Sequence, residues 1–374
     1  MKKHLLRLAF INGLLFLSIC IFAQEYSDFY FTRVNGENGL SESNVKAILQ
    51  DSYGFMWFGT KNGLNRYDGT SILQFDCDDL EEGTGNHNIG ALFEDKERNL
   101  WVGTDRGVYI YNPAVDVFKR FKIASSEGIT LDNWVAEILS DSLDNIWVLI
   151  PDQGLFRYKD GKVHHYSLID KDNLKNNNPE CICINEQGEV WVGTSGIGLF
   201  KYNYRDDNFE QYLTDRMGRS LIDKTIISIC FQKENAILGI HEGDLLKYNT
   251  RTDELSEVSF LGEKKTFLRD VMCFGDEIWV GSLHGIFIIN EKENNVIHLK
   301  EDLMRSFSLS DNSIYSIYKD YEGGIWIGTM FGGVNYLPNR ILTFAKYVPG
   351  SDSYSLNTKR IRGLAEDNNG CIWI

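Results

Sequence analysis

The side chains best suited to bind a ligand stand where this sequence departs from its own internal pattern. Trp134, in the stretch Leu-Asp-Asn-Trp-Val, is the one Trp outside a repeated position. The polar candidates are Lys61, Asp105, Arg106, Asp152, Gln153, His241 and His284. An aromatic face beside carboxylates, a guanidinium and an amide can hold a polar ring compound, because forked donors and acceptors bind its edge. We therefore expect a ligand site around Trp134. The alternative is that Trp134 plugs an opening or contacts a partner domain.

Catalysis would need carboxylates, Tyr, His or Arg, or a metal, that converge on one opening. His241, Glu242, His284 and Asp105 are the only hints, and they fall in different repeats without metal-ligand spacing. The sequence thus predicts no catalytic residue, no metal site and no cofactor.

Six cysteines follow residue 23, irregularly spaced and without a C-x-x-C pair. Cys181, Cys183 and Cys230 occupy predicted strand positions that hold Ala47 or Leu49 in the first repeat, and we expect small buried apolar side chains there. Cys181 and Cys183 would share one strand face, so we expect no bond between them.

A sequence motif recurs eight times, and it must supply the secondary-structure elements that position these residues. Its first copy is Asp51–Gly63, with an acidic residue, a turn, Trp57 between apolar residues, and Gly-Thr followed by a further Gly. With Leu238 in a degenerate copy, the Trp positions are spaced by 44, 46, 44, 47, 41, 47 and 47 residues. A fixed period of this length indicates a repeat architecture.

Each repeat predicts four short strands joined by tight turns. In the first copy they are residues 44–50, 55–58, 64–68 and 71–75. Such a sheet is marginal alone and must bury both faces, which identical units achieve by stacking around an axis as a β-propeller. The repeated Trp then packs between blades, the Gly permits close approach of strands, and the Thr bonds neighbouring backbone.

The number of repeats predicts the domain boundaries. We expect an all-β, seven-bladed propeller of four-stranded antiparallel blades over residues 24–348. A strand at residues 29–34 would close it by completing the seventh blade. Residues 341–347 and the incomplete copy at Trp373 would then supply the first strands of a second, truncated propeller, with residues 349–374 as its start. The loops between second and third strands and the residues before first strands would share one mouth, where the candidate residues lie.

The N-terminus and the net charge bear on location and partners. Residues 1–23 combine a basic start with an apolar run, which indicates a secretory signal peptide, or alternatively a retained anchor. The net charge of -15 argues against nucleic acid as a partner. We therefore expect an exported, periplasmic protein.

The stretch Asn38–Gly69, N-G-L-S-x-S-N-V-x-x-I-x-x-D-x-x-G-x-x-W-x-G-T-x-x-G-L-x-x-Y-D-G, resembles the two-component regulator propeller repeat. It is similar to the periplasmic sensor region of Bacteroidetes hybrid two-component systems. The resemblance implies a second propeller, an immunoglobulin-like domain, a membrane helix, a histidine kinase, a receiver and a DNA-binding domain beyond this chain. It also implies a homodimer in the inner membrane and an oligosaccharide ligand.

Three functions follow as hypotheses. The first is a sensor that binds a glycan fragment and signals to a kinase absent from this chain. The second is a propeller enzyme acting on polysaccharide, and the third is a scaffold for other proteins.

Overall fold

The computed structural model describes residues 29–75, 88–122, 125, 128–168, 178–260, 266–305, 307–339, 356, 360–367 and 371–374. The predicted signal peptide and the strand predicted at 341–347 lie outside these ranges. Within them, no helix combines the length and apolar character needed to cross a membrane.

Short antiparallel strands make up nearly all the regular structure, beside one 3-10 turn at Gly36–Asn38. The first units comprise β1 Thr32–Val34, β2 Val45–Gln50, β3 Met56–Thr60, β4 Gly63–Tyr67, β5 Ile72–Phe75, β6 Ile89–Glu94, β7 Leu100–Thr104, β8 Gly107–Asn112 and β9 Val117–Arg120. The middle units comprise β10 Glu137–Ser140, β11 Ile146–Ile150, β12 Gly154–Lys159, β13 Lys162–Tyr166, β14 Pro179–Ile184, β15 Val190–Ile197, β16 Leu199–Asn203 and β17 Asn208–Tyr212. The last are β18 Ile222–Gln232, β19 Asn235–Ile240, β20 Leu245–Asn249, β21 Glu254–Glu257, β22 Leu268–Phe274, β23 Glu277–Ser282, β24 Gly285–Asn290, β25 Asn295–Leu299, β26 Ile314–Lys319, β27 Ile325–Thr329, β28 Val334–Leu337, β29 Ala365–Glu366 and β30 Ile372–Trp373.

These strands form four-stranded antiparallel units, seven of them in the part of the chain that the structure describes. Units 1 to 6 are four consecutive strands each, from β2–β5 to β22–β25, and extensions of β15 and β18 pair units 4 and 5 into one larger sheet. Neighbouring units contact one another in chain order, and β26 contacts β2. The predicted β-propeller of four-stranded blades is therefore confirmed.

Unit 7 draws its strands from both ends of this region. Its order is β1-β28-β27-β26, with Thr32 opposite Tyr336 and Val34 opposite Val334. The predicted closing strand is thereby confirmed. Phe31 is buried at 2% exposure and packs into the core shared by units 6 and 7.

The repeated residues have the structural roles expected of them. Trp57 lies in a cluster with Leu100 and Tyr109 of unit 2, so it packs against the next unit. A Cβ on Gly59 would lie 2.6 Å from Ile89 of that unit, which leaves only glycine able to accept this approach. Thr60 donates from Oγ1 to the carbonyl of Gly63 at 2.9 Å and so fixes the turn after the second strand.

The cysteines require one correction. Cys230 is bonded to Cys273, with 5.8 Å between the two Cα atoms, so the expectation of a simple buried apolar side chain was wrong for Cys230. The sulfurs join the inner strands β18 and β22 of neighbouring units, which stacking brings side by side. Cys181 and Cys183 are both free thiols, as expected.

The final repeat begins the same hairpin as the others. Ala365 and Glu366 pair with Trp373 and Ile372, and Trp373 donates its indole N–H to Asp367 at 3.0 Å. A second propeller starting here stays a prediction.

Candidate functional site

Backbone hydrogen bonds place two sets of variable residues side by side in most units. Lys61 donates its N–H to the carbonyl of Asn44 at 3.1 Å, and Asp105 donates to Asn88 at 3.1 Å. The same bond recurs in units 4 to 7, from Ser195, His241, Leu283 and Met330. The loop between strands two and three therefore lies against the residue that precedes strand one. We call the end of the ring that carries these loops the cavity mouth.

Unit 3 breaks this bond because Pro151 occupies the donor position and proline has no N–H. The segment before β10 bonds instead to the preceding unit, where Val135 donates to the carbonyl of Thr104 at 3.0 Å. Trp134 is partly buried and reaches back over Gly90 of unit 2, where a Cβ would lie 2.5 Å from its ring. The departures at Pro151 and at Trp134 thus belong to one arrangement.

Seven inner strands surround a central cavity of about 330 Å³. In six of these seven strands a β-bulge lies at Lys46 or at the residue equivalent to it in another unit. Lys46 itself lies two residues after Asn44, whose carbonyl accepts the N–H of Lys61. A bulge re-aims the side chain it carries, and here most of these residues line the cavity. We call the set the inner ring: Lys46, Gly90, Ala136, Glu180, Ile227, Arg269 and Tyr315.

The inner ring was missed by the reasoning from sequence. Its signal was available, because this position holds a different residue in every copy. The bulge hid it, since strict alternation along a strand does not predict which face the extra residue takes.

Positive charge collects at the mouth around Lys46. Its ammonium lies 4.7 Å from the centre of the Trp134 ring and 5.9 Å from that of Tyr315. The guanidinium of Arg269 is 5.7 Å from the same Tyr315 ring. Burial lowers the pKa of Lys46, the charges of Lys61 and Arg269 lower it further, and Asp105 opposes them.

Two carboxyl groups also line the cavity, and each accepts a backbone N–H from the next unit. Glu137 accepts from Ile182 at 2.6 Å, and Asp270 accepts from Ile317 at 2.8 Å. Burial raises the pKa of Glu137 to about 8, with a further contribution from the charge of Asp270. Burial likewise raises the pKa of Asp270 to about 6, although its hydrogen bonds oppose the shift.

The structure brings three of the predicted site residues together. Trp134, Lys61 and Asp105 share Lys46 as a common neighbour, by contact for Trp134 and by charge for the other two. Arg106 is exposed, and its carbonyl accepts from Arg120 at 3.1 Å.

The other predicted residues have partners within their own parts of the ring. Asp152 is exposed and accepts from Asn178 at 3.4 Å. The carbonyl of Gln153 lies 2.6 Å from a ring nitrogen of His165. His241 packs its ring 5.0 Å from that of Phe267, and His284 Nδ1 lies 2.6 Å from Thr266 Oγ1. No described contact links these residues to Trp134. Within the described ranges, no group of His, Cys, Asp and Glu is arranged to hold a metal.

Comparison with known proteins agrees with the repeat and the fold. Residues 39–62, 83–106 and 308–331 match the Two component regulator propeller family model. This confirms the expected resemblance at three repeats. Histidine kinase P4 of Formosa agariphila is 26% identical over 230 residues, which cover 59% of this chain and 17% of the relative.

Solved structures share the architecture. The extracellular domain assigned to the hybrid two component system BT3049 of B. thetaiotaomicron has a TM-score of 0.71 and 25% identity, covering 92% of this chain and 46% of that one. The corresponding domain of BT4673 from the same organism has a TM-score of 0.70 and 23% identity, covering 92% and 44%. A streptogramin B lyase has a TM-score of 0.63 at 15% identity, covering 83% and 97%, and shows the fold alone. The chain thus spans less than half of either B. thetaiotaomicron domain.

Proposed function

We propose that this chain is the ligand-binding propeller of an exported hybrid two-component sensor, which detects a glycan fragment and signals to a kinase outside these residues. The observation that carries the proposal is the cavity mouth. There Pro151 releases the Trp134 segment, and the indole lies over Gly90 beside Lys46. Residues that differ from repeat to repeat thus meet at one opening, while the repeated residues pack the blades.

Export to the periplasm is supported by the Cys230–Cys273 bond. Disulfides persist in oxidising compartments and are rare in the cytosol. The extracellular location of the similar B. thetaiotaomicron domains points the same way. In the whole protein, a ligand that binds one arrangement of a homodimer better would shift its population and so signal.

Binding is favoured over catalysis by the state of the cavity carboxyls. Glu137 and Asp270 are each hydrogen-bonded to the backbone of the next unit, so they brace neighbouring inner strands. A general acid or base must instead reach the proton it transfers on a substrate.

The test is calorimetric titration of the protein with an oligosaccharide pool from digested plant and animal polysaccharides. We expect a heat of binding without new products on chromatography. Trp134→Ala should abolish the heat and leave the melting temperature nearly unchanged, because the side chain is only partly buried at the mouth.

The matched variant is Trp101→Ala. Trp101 is 2% exposed between units 2 and 3, so its loss should cost about 3–5 kcal/mol of stability. New products would support the enzyme instead. Absence of any heat would reject glycan sensing and favour the scaffold, and a large loss of stability in Trp134→Ala would assign that residue to packing.

A further inference from the structure

The cavity mouth concentrates positive charge in a protein whose net charge is -15. Lys46 and Arg269 belong to the inner ring, and both lie within 6 Å of the centre of the Tyr315 ring, at 5.9 and 5.7 Å. Lys61 stands in the loop beside them, held through its backbone to Asn44. Three cations from units 1 and 6 therefore converge where the ring is open.

Aromatic surface accompanies this charge. The centre of the Trp134 ring lies 4.7 Å from the Lys46 ammonium. The charged groups of Lys46 and Arg269 both lie close to the Tyr315 ring. Gly90 leaves the space that the indole fills, since any Cβ there would collide with it. The indole is thus positioned over Gly90 before any ligand arrives.

We propose that the cavity mouth binds an anionic group, a carboxylate or sulfate, held by Lys46, Lys61 and Arg269 and carried on a ring that lies against Trp134. The inference rests on the proposed function, and within the glycan class it selects an acidic sugar over a neutral one. An anion between these cations removes their mutual repulsion, whereas a neutral sugar leaves it in place.

The negative groups nearby do not cancel this attraction. Asp105 is exposed, and its charge acts on Lys46 less than that of Lys61. Glu137 carries a proton at neutral pH because burial raises its pKa to about 8. Asp270 is ionised at neutral pH, since its pKa is about 6, and it accepts hydrogen bonds from Ser228 and from the N–H of Ile317. Together with Asp105 it balances at most two of the three positive charges of Lys46, Lys61 and Arg269. Glu180 completes the inner ring in unit 4, which adjoins neither unit 1 nor unit 6, the units that supply the three cations.

The experiment compares three probes by calorimetry: trigalacturonate, α-1,4-galactotriose and inorganic sulfate. We expect trigalacturonate to bind at least ~10-fold more tightly than galactotriose, and to weaken several-fold when salt rises from about 0.05 to 0.3 M, as screening shortens the reach of the cations. Lys46→Gln and Arg269→Gln should each weaken trigalacturonate binding roughly tenfold, the size of one lost charge-assisted contact. Lys162→Gln, an exposed cation on the outer strand of unit 3, is the matched control and should change nothing.

The outcomes separate this inference from the proposed function. Equal binding of both trisaccharides, unchanged by Lys46→Gln, overturns the anion site while glycan sensing stands. Sulfate binding that Lys46→Gln abolishes, with neither trisaccharide bound, supports the anion site and counts against a glycan ligand. If none of the three probes binds, the inference is overturned. The titration with the oligosaccharide pool then tests the proposed function separately.

Discussion

At the scale of single residues, Asp51 shows what the acidic residue contributes in the repeats that have one. One carboxylate oxygen accepts the N–H groups of Tyr53 and Phe55, at 3.0 and 2.9 Å. The other accepts the indole N–H of Trp57 at 2.7 Å. One side chain therefore closes the hairpin and accepts the indole N–H of the buried Trp57.

Unit 4 shows the consequence of changing that residue. Asn185 stands in the Asp position, and its amide nitrogen donates to Glu189 at 2.8 Å. The indole nitrogen of Trp191 is then buried without a well-formed hydrogen bond to any described residue, and its remaining polar contact is with the Glu189 carboxyl. An amide offers one acceptor oxygen where a carboxylate offers two, and here the backbone uses it.

Glu137 gives a prediction at the same scale. Its raised pKa means that the folded protein holds a proton that the unfolded chain releases near pH 4.5, so stability falls as pH rises from there to about 8. Glu137→Gln keeps an acceptor for Ile182 and cannot ionise. The free energy of unfolding of the variant should therefore rise relative to that of the wild type between pH 5 and pH 8, by up to a few kcal/mol. Urea unfolding at the two pH values measures this difference.

The exposed Glu257 provides the control. Glu257→Gln should follow the wild-type pH profile. A constant difference between Glu137→Gln and the wild type at both pH values would show that Glu137 is ionised in the folded state.

At the scale of elements, β1 completes unit 7 from the far end of the propeller. The strand buries Val34, at 6% exposure, Phe31 just before it is buried at 2% exposure, and the strand pairs along β28. A chain starting at residue 36 should therefore lose about 3–6 kcal/mol against one starting at residue 29, from two buried apolar side chains at about 1.5–3 kcal/mol each.

Thermal unfolding of the two chains measures this difference, and limited proteolysis locates it. New cleavage should appear first in β28, which loses its outer neighbour. Equal melting temperatures would mean that three strands suffice to close the ring.

At the scale of the whole molecule, the Cys230–Cys273 bond ties two blades together. It closes a loop with a sequence separation of 43, for which the chain-entropy model gives about 4 kcal/mol. Reduction, or the pair Cys230→Ala and Cys273→Ala, should lower the free energy of unfolding by up to that amount.

Denaturant unfolding with and without reductant tests the bond. Cys181→Ala removes a buried free thiol and should remain sensitive to reductant, whereas the Cys230/Cys273 double variant should not. Insensitivity of the wild type would argue against the bond in solution.

Much of this architecture could be predicted from the sequence because the repeat period carries it. The four strands of unit 1 lie within two residues of their predicted bounds, and the closing strand was found by its likeness to other outer strands. The disulfide was missed, although its spacing of 43 is close to the repeat period and so indicated neighbouring blades.

The candidate site was predicted in part, and the reason lies in the register. Trp134, Lys61 and Asp105 were expected at one mouth and share Lys46 there. Lys46 itself was missed, because a bulge rather than the alternation of the strand aims it. His241 packs against Phe267, and His284 lies within hydrogen-bond distance of Thr266, contacts that their positions in the sequence could not reveal.

The sequence by itself determined the blade, since the repeated Asp, Trp, Gly and Thr act within one unit or across one unit boundary. Only the tertiary structure decided which side chains meet in the cavity. Lys46 and Trp134 come from units 1 and 3, and Tyr315 from unit 7, so their meeting depends on the curvature of a closed ring. Local patterns fix contacts between adjacent strands. Closure of the ring fixes contacts across its centre, where the ligand site is proposed.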